Sequence, residues 1–175
     1  AAELAARAGG MVEALARAWD RPARLVVEGG AVEVPVLVAE ALGEPLLHLV
    51  RNALDHGIEA PGERRRRGKP NVGTIRLAFA RTAAGLVVEV ADDGAGIDEA
   101  RLAAAARAAG HTVAGDPLAL AFLPGVSTAQ AGGRSGRGVG LDAVQAALAA
   151  LGGRATVRSA PGAGATFVLE VPIRA

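Results

Sequence analysis

GLVVEVADDGAGID, residues 85–98, changes character halfway along. From Leu86 to Ala91 apolar residues alternate as in a half-buried strand; at Asp92 the alternation breaks into DDGAG, and a helix is expected from Asp98 to about Ala109. A carboxylate held at such a strand end can accept a hydrogen bond from an exocyclic amine, and Gly94 and Gly96 let backbone and a flat ring approach closely. Taken alone, the string reads equally well as a plain turn, since Asp and Gly are common turn formers. Asp93 is expected simply to be exposed.

Working outward, Thr74 to Arg81 alternates with Ile75, Leu77 and Phe79 on one side, so it pairs with the first strand as an antiparallel hairpin about Gly85. Near the end, Ala155–Ser159 and Thr166–Val171 read as two strands joined by the turn PGAG. Leu4, Ala8, Met11, Val12, Leu15 and Trp19 recur at helical spacing, and Arg24–Glu28 reads as a short strand. Val34–Leu42 reads as a helix ending at Gly43, and Pro45 as the first turn of another that Gly57 closes. Leu141, Val144, Leu148 and Leu151 share one face of a later helix. The glycine-rich segment of about 110–134 is expected to be a mobile lid, and the basic run Arg64–Arg67 a solvated loop, with attraction of an anion as the sharper alternative. The sum is an α/β fold: a two-layer sandwich of a mixed, largely antiparallel sheet with helices on one face.

The chain of 175 residues is the size of one domain, residues 1–175. Nineteen basic against 18 acidic residues leave no field that favours nucleic acid or a membrane surface. With no cysteine there is neither disulfide nor thiolate metal site, which fits a cytoplasmic setting. No apolar run approaches the ~20 residues that span a bilayer, so no membrane insertion is expected. Opening inside a helix and stopping just after a strand, the chain reads as a domain cut from a larger multidomain protein.

Two further strings carry chemistry. In HLVRNALDHGIE, His48–Glu59, the residues His48, Asn52, Asp55 and His56 fall on one helical face, with leucines and valine on the rest. An amide and a carboxylate there are oxygen donors of the kind Mg²⁺ accepts beside phosphate and water, although the bland reading is a solvated polar stripe. Zinc is a weaker reading, since His48 and His56 are eight apart with no third ligand evident. In GRSGRGVGLD, Gly133–Asp142, the glycines Gly136, Gly138 and Gly140 alternate just before a helix, and free N–H groups with the helix dipole suit phosphate. The spacing is neither the Rossmann nor the Walker pattern, and protein-kinase strings are missing.

These strings, in this order, resemble the CheA-type chemotaxis sensor histidine kinases, within the superfamily of gyrase, Hsp90, histidine kinases and MutL. HLVRNALDHGIE is similar to the N box, DDGAGID to the first glycine box, FLPGVST to the F box and GRSGRGVGLD to the second glycine box; GKPNVGTI and PGAGATFVLEVP add to the likeness. It implies the Bergerat-type ATP-binding fold, with Asn52 holding Mg²⁺ and Asp92 contacting the adenine amine. It further implies that Asp55, His56, Gly94, Gly96, Ile97, Ser127, Ser135, Gly136, Arg137, Gly138, Val139, Gly140, Leu141 and Thr166 surround ATP. Most relatives carry a glutamate where this chain has His48, so a strong carboxylate base for water is missing and a neutral imidazole is the catalytic candidate, with His56 beside it.

Two departures stand out: His111–Leu120 is short for the stretch before the F box, and no lysine follows Ser127 and Thr128. The acceptor histidine is expected on a separate phosphotransfer domain of the same parent. A response regulator, a CheW-like adaptor and chemoreceptors would be reached through other domains, with a homodimeric parent and a monomeric isolated domain. The rivals are a regulatory module that binds ATP without transfer and an anti-sigma serine kinase of the same superfamily.

Overall fold

The computed structural model describes residues 1–126 and 140–173. Five strands, β1 (Ala23–Glu28), β2 (Gly73–Thr82), β3 (Gly85–Asp92), β4 (Arg154–Ala160) and β5 (Gly164–Pro172), form one sheet in the order β1-β2-β3-β5-β4. β1 runs parallel to β2, and every other pair is antiparallel. Alternation sorts the two faces. Ile75, Leu77, Leu86, Val88, Val90, Leu169 and Val171 are buried on one. On the other, Arg76 pairs with Glu28 and Glu89, and Arg158 with Glu89, a charged ladder suited to water. The expected two-layer sandwich follows.

The buried face is covered by α1 (Ala2–Ala18), α2 (Val36–Asn52) and α5 (Leu141–Ala150), while α3 (Pro61–Arg66) and α4 (Glu99–Ala108) lie in the connections. Leu4, Ala8 and Val12 of α1 pack with Leu42, Leu46, Leu49 and Val50 of α2 in the main core. The two helices expected on either side of Gly43 are one. A proline inside a helix removes a donor and costs ~3 kcal/mol. Against this, Leu42, Leu46, Leu49 and Val50 form a single stripe, none more than 1% exposed, and each such burial contributes ~1.5–3 kcal/mol, so α2 runs through Pro45.

Two loops are also more ordered than the sequence suggests. The basic run is α3, with Pro61 in its first turn and Arg64 wholly buried, while Arg66 and Arg67 pair with Glu63. The first part of the expected lid holds a 3-10 turn, Pro117–Phe122, started by the Asp116 carboxylate, which accepts from Leu118 N–H at 2.9 Å. Leu120, Ala121 and Val126 form a small second core with Leu102 and Ala106, so this stretch is a packed element. The rest of the expected lid lies outside the described residues.

Candidate functional site

The polar face of α2 ends in a widened turn. From Ala53 to Gly57 the helix is π-helical, and Ile58 N–H donates to the Ala53 carbonyl at 2.7 Å. Such turns are rare and frequent at functional sites. Arg21, in the connection from α1 to β1, holds this one by donating to the carbonyls of Leu54 (3.3 Å), Asp55 (2.7 Å) and Ile58 (2.7 Å).

One turn earlier, His48 Nε2 lies 3.0 Å from Asn52 Nδ2. An amide nitrogen can only donate, so with this amide orientation Nε2 accepts and the imidazole is neutral. Burial, then the charge of Arg51 and, least, that of His56, holds His48 below its ordinary value against an opposite pull from Asp142 at the start of α5. Asp55 is nearly buried, and its Oδ2 has no hydrogen-bond donor; His56 Nε2 lies 3.6 Å from it, too far for a hydrogen bond. Asn52 and this unsatisfied carboxylate oxygen suit a hard cation that keeps water and phosphate oxygens as its other ligands. Among the described residues no group of three His, Cys, Asp or Glu is arranged to hold a metal by itself, so zinc has no cage there.

Asp92 stands at the end of β3 and faces this turn. Burial dominates its titration. Although the Gly94 and Ala165 N–H groups donate to its carboxylate, desolvation and the charges of Asp93 and Glu59 leave the carboxyl pushed up to about 6. Glycines wall it closely. A Cβ at Gly57 would lie 2.9 Å from the Asp92 carboxyl carbon, and one at Gly94 would lie 2.0 Å from the Gly57 carbonyl. Gly164 has φ +84°, and a Cβ there would sit 1.8 Å from the Asp92 carbonyl, so glycine alone fits. Ala95 N–H donates to Gly57 O at 2.9 Å, Gly162 N–H to Ala95 O at 2.7 Å and Ile97 N–H to Ser159 Oγ at 2.8 Å. The glycine turn, Gly96 included, is thus stitched between the π-helical turn and the β4–β5 hairpin.

Of the other expected residues, Thr166 lies on β5 opposite Ala91, beside the Asp92 strand end. Ile97 and Leu141 touch both hydrophobic clusters, and Gly140 precedes the first turn of α5. Ser127, Ser135, Gly136, Arg137, Gly138 and Val139 lie outside the described residues. His111 is not part of the arrangement; its Nε2 meets the Pro124 carbonyl at 2.7 Å.

Sequence reading missed the charged groups packed behind Asp92. Asp93, expected to be merely exposed, is gripped at both oxygens by Arg64, at 3.1 and 3.0 Å, and accepts from Thr74 N–H at 3.0 Å. Arg64 also donates to Glu59 Oε2 at 3.0 Å, and Lys69 Nζ donates to Glu59 Oε1 at 2.8 Å. Burial would raise the Glu59 carboxyl, but hydrogen bonding from Lys69 and the charges of Lys69 and Arg64 outweigh it and hold it below its ordinary value. Both partners fall inside strings already singled out, Glu59 closing HLVRNALDHGIE and Lys69 in GKPNVGTI, and neither spacing shows that they meet.

A mixed sheet under one helical layer thus carries a buried, glycine-walled acid at a central strand end beside the π-helical turn that follows Asn52, and the class of domain is that of the ATPases whose family model the chain matches. The family described as histidine kinase-, DNA gyrase B- and HSP90-like ATPase matches residues 41–175, and the chain belongs to it. In sequence it is 44% identical over 157 residues to the chemotaxis protein CheA of Cereibacter sphaeroides, covering 86% of this chain and 23% of that protein. The CheA of Listeria monocytogenes is 38% identical over 172 residues, covering 93% and 28%. The chain therefore spans about a quarter of the length of these relatives. In structure it superposes on the histidine kinase domain of the Erythrobacter litoralis EL346 blue-light activated histidine kinase with TM-score 0.60 at 20% identity, covering 97% of this chain and 60% of that one. The catalytic domain of histidine kinase ThkA gives 0.61 at 17%, covering 97% and 90%. At these identities the structural matches speak to the fold alone.

Proposed function

We propose that this domain binds Mg²⁺·ATP and presents the γ-phosphoryl group to a histidine on a separate phosphotransfer domain of its parent protein, as part of CheA-like chemotaxis or motility signalling. The observation that carries the reading is the Asp92 carboxylate, buried yet kept clear of side chains by Gly57, Gly94 and Gly164, beside the π-helical turn that follows His48 and Asn52 on the same helix. Asp92 reads the adenine amine, and Asn52, with Asp55, holds Mg²⁺, whose charge offsets that of the phosphates. Among the described residues, Ile97, Gly140 and Leu141 at the head of α5 would complete the contacts to ATP, with Thr166 near the base; Ser127 and Ser135 to Val139 are assigned to ATP by the likeness of their strings alone.

In the transfer, an imidazole nitrogen of the acceptor bonds to the γ-phosphorus as the bond to the bridging oxygen breaks, giving phosphohistidine and ADP. Positioning supplies most of the catalysis. His48, neutral and hydrogen-bonded to Asn52 through Nε2, has Nδ1–H left to orient the attacked phosphoryl group, and could take the acceptor's proton only by releasing Asn52; the partly exposed His56 lies on the same helical face. A response regulator, a CheW-like adaptor and chemoreceptors would be met through other domains of a dimeric, cytoplasmic parent. Among the described residues no helix is long and apolar enough to cross a membrane.

The test is phosphoryl transfer from radiolabelled ATP, with the domain alone and with the parent's histidine domain added. Label is expected on the added domain only, at a rate that rises with its concentration because tethering has been lost. His48→Ala should reduce transfer more than ATP affinity. Strong labelling of the domain alone would refute transfer in trans, and tight ATP binding without transfer would favour a regulatory module.

A further inference from the structure

We infer that Glu59, Arg64, Lys69 and Asp93 form a clamp, built on the buried Arg64–Glu59 pair, that holds the Asp92 carboxylate in register with the base, so that selection of adenine over guanine depends on two cations acting through the backbone. The inference rests on the reading of Asp92 as the base-recognising acid.

Lys69 Nζ has three protons and three acceptors: Glu59 Oε1 at 2.8 Å, the Asp93 carbonyl at 2.8 Å and the Gly94 carbonyl at 2.6 Å. Arg64, with no exposed surface, donates to both Asp93 oxygens, to Glu59 Oε2 and, through Nε, to the Pro70 carbonyl at 2.6 Å. Asp93 in turn accepts from Thr74 N–H on the neighbouring strand. The peptide units immediately after Asp92 are therefore fixed from α3, from the α3–β2 connection and from β2. Gly94 belongs to the same clamped segment, and its N–H is the donor that orients Asp92 Oδ1, at 2.9 Å. Shifting the 93–94 peptide moves that donor, and the carboxylate follows.

A network whose task was stability alone would have no reason to converge on these two carbonyls. Replacing buried ion pairs by apolar side chains is often neutral or stabilising, so a network of this kind is better explained by what it positions. The chemistry it positions is specific. Adenine offers an amine where guanine offers a carbonyl, and a carboxylate accepts from the first and repels the second. Discrimination of this sort depends on the acceptor being held in place. An Asp92 free to turn would still leave the phosphate and metal contacts to bind either nucleotide.

The experiment measures ADP and GDP affinities by calorimetry in EDTA for the wild-type domain, Asp92→Asn, Lys69→Met and Arg64→Lys, each first shown to be folded by circular dichroism. The wild type should prefer ADP, and Asp92→Asn should lose most of that preference. Lys69→Met should narrow the ADP-to-GDP ratio by roughly tenfold, chiefly through weaker ADP binding, the size expected when one recognition contact is loosened. Arg64→Lys keeps the charge but loses the two-pronged grip on Asp93, and should narrow the ratio less. Should Lys69→Met fail to fold, Arg64→Lys decides. A folded variant that melts lower but keeps the wild-type ratio overturns the clamp, whatever its absolute affinity. A wild-type domain that binds neither nucleotide, or both equally, overturns the reading of Asp92 itself and the clamp with it, an outcome separated from the first because it shows before any variant is compared.

Discussion

Asp92→Asn should make the nucleotide-free domain more stable and at the same time remove its adenine site. Burial raises the Asp92 carboxyl from 3.8 to about 6. Each pKa unit corresponds to ~1.4 kcal/mol, so keeping this carboxylate ionised in the fold at neutral pH costs about 3 kcal/mol relative to the unfolded chain. The cost is absent below pH 3.8, where both states are protonated, grows as pH rises toward 6, and is constant above that. Asparagine has the same shape, no charge, and a carbonyl oxygen that can still accept from Gly94 N–H. The variant should therefore gain up to about 3 kcal/mol at pH 7.5 and about half of that if the second amide contact is poor. At ~2–4 °C per kcal/mol for a domain of this size, that is a rise of several degrees, shrinking to nothing near pH 4. Thermal melts of both proteins between pH 4 and 8, with ADP titrations at each pH, provide the assay. In the wild type, ADP affinity should fall as pH drops below 6, by roughly tenfold at pH 5, as Asp92 takes up its proton. In the variant that slope should vanish with the affinity. A melting temperature equal to or below wild type at pH 7.5, or a gain independent of pH, would show that burial of this carboxylate is not what sets its energetics.

Two further substitutions probe the same wall from other sides. Gly57→Ala places a methyl group 2.9 Å from the carboxyl carbon of the buried Asp92, so the carboxylate must be displaced from its Gly94 bond; ADP binding should be lost and the melting temperature lowered, as calorimetry and a melt on one sample would show. Arg21→Met leaves the carbonyls of Leu54, Asp55 and Ile58 without their cation and should cost about 2–3 kcal/mol in urea denaturation, with Mg²⁺-dependent ATP binding weakened as the turn carrying Asp55 and His56 loosens.

What could be read from the sequence was what has a short period or a local string. The hairpin of β2 and β3 was legible because Ile75, Leu77 and Phe79 alternate, and α5 because leucines and valine recur at helical spacing. The same local rules misread α2. Gly43 and Pro45 are stop and start signals when read singly, and only the packing of Leu42, Leu46 and Leu49 against α1 shows why the helix passes through them. The 3-10 turn at Pro117–Phe122 was hidden for a related reason: Leu120 and Ala121 find their partners in Leu102 and Ala106, across a connection too irregular to carry a period.

The site divided along the same line. His48, Asn52 and Asp92 could be named as candidates because each sits in a string whose chemistry is local: an amide four residues from an imidazole, an acid at a strand end beside glycines. Arg64 was not, because a run of four arginines looks the same from outside whichever member turns inward. Its selection is made in three dimensions. Within α3 it is the arginine that is wholly buried, and Glu59 and Asp93, which come from either side of it in sequence, meet there. Removing either carboxylate would leave the guanidinium buried with part of its charge unanswered, a situation that costs several kcal/mol. The requirement for a cation at that point is therefore set by the two acids, and the identity of Arg64 as the one that answers it is a consequence of where α3 lies against the end of β3.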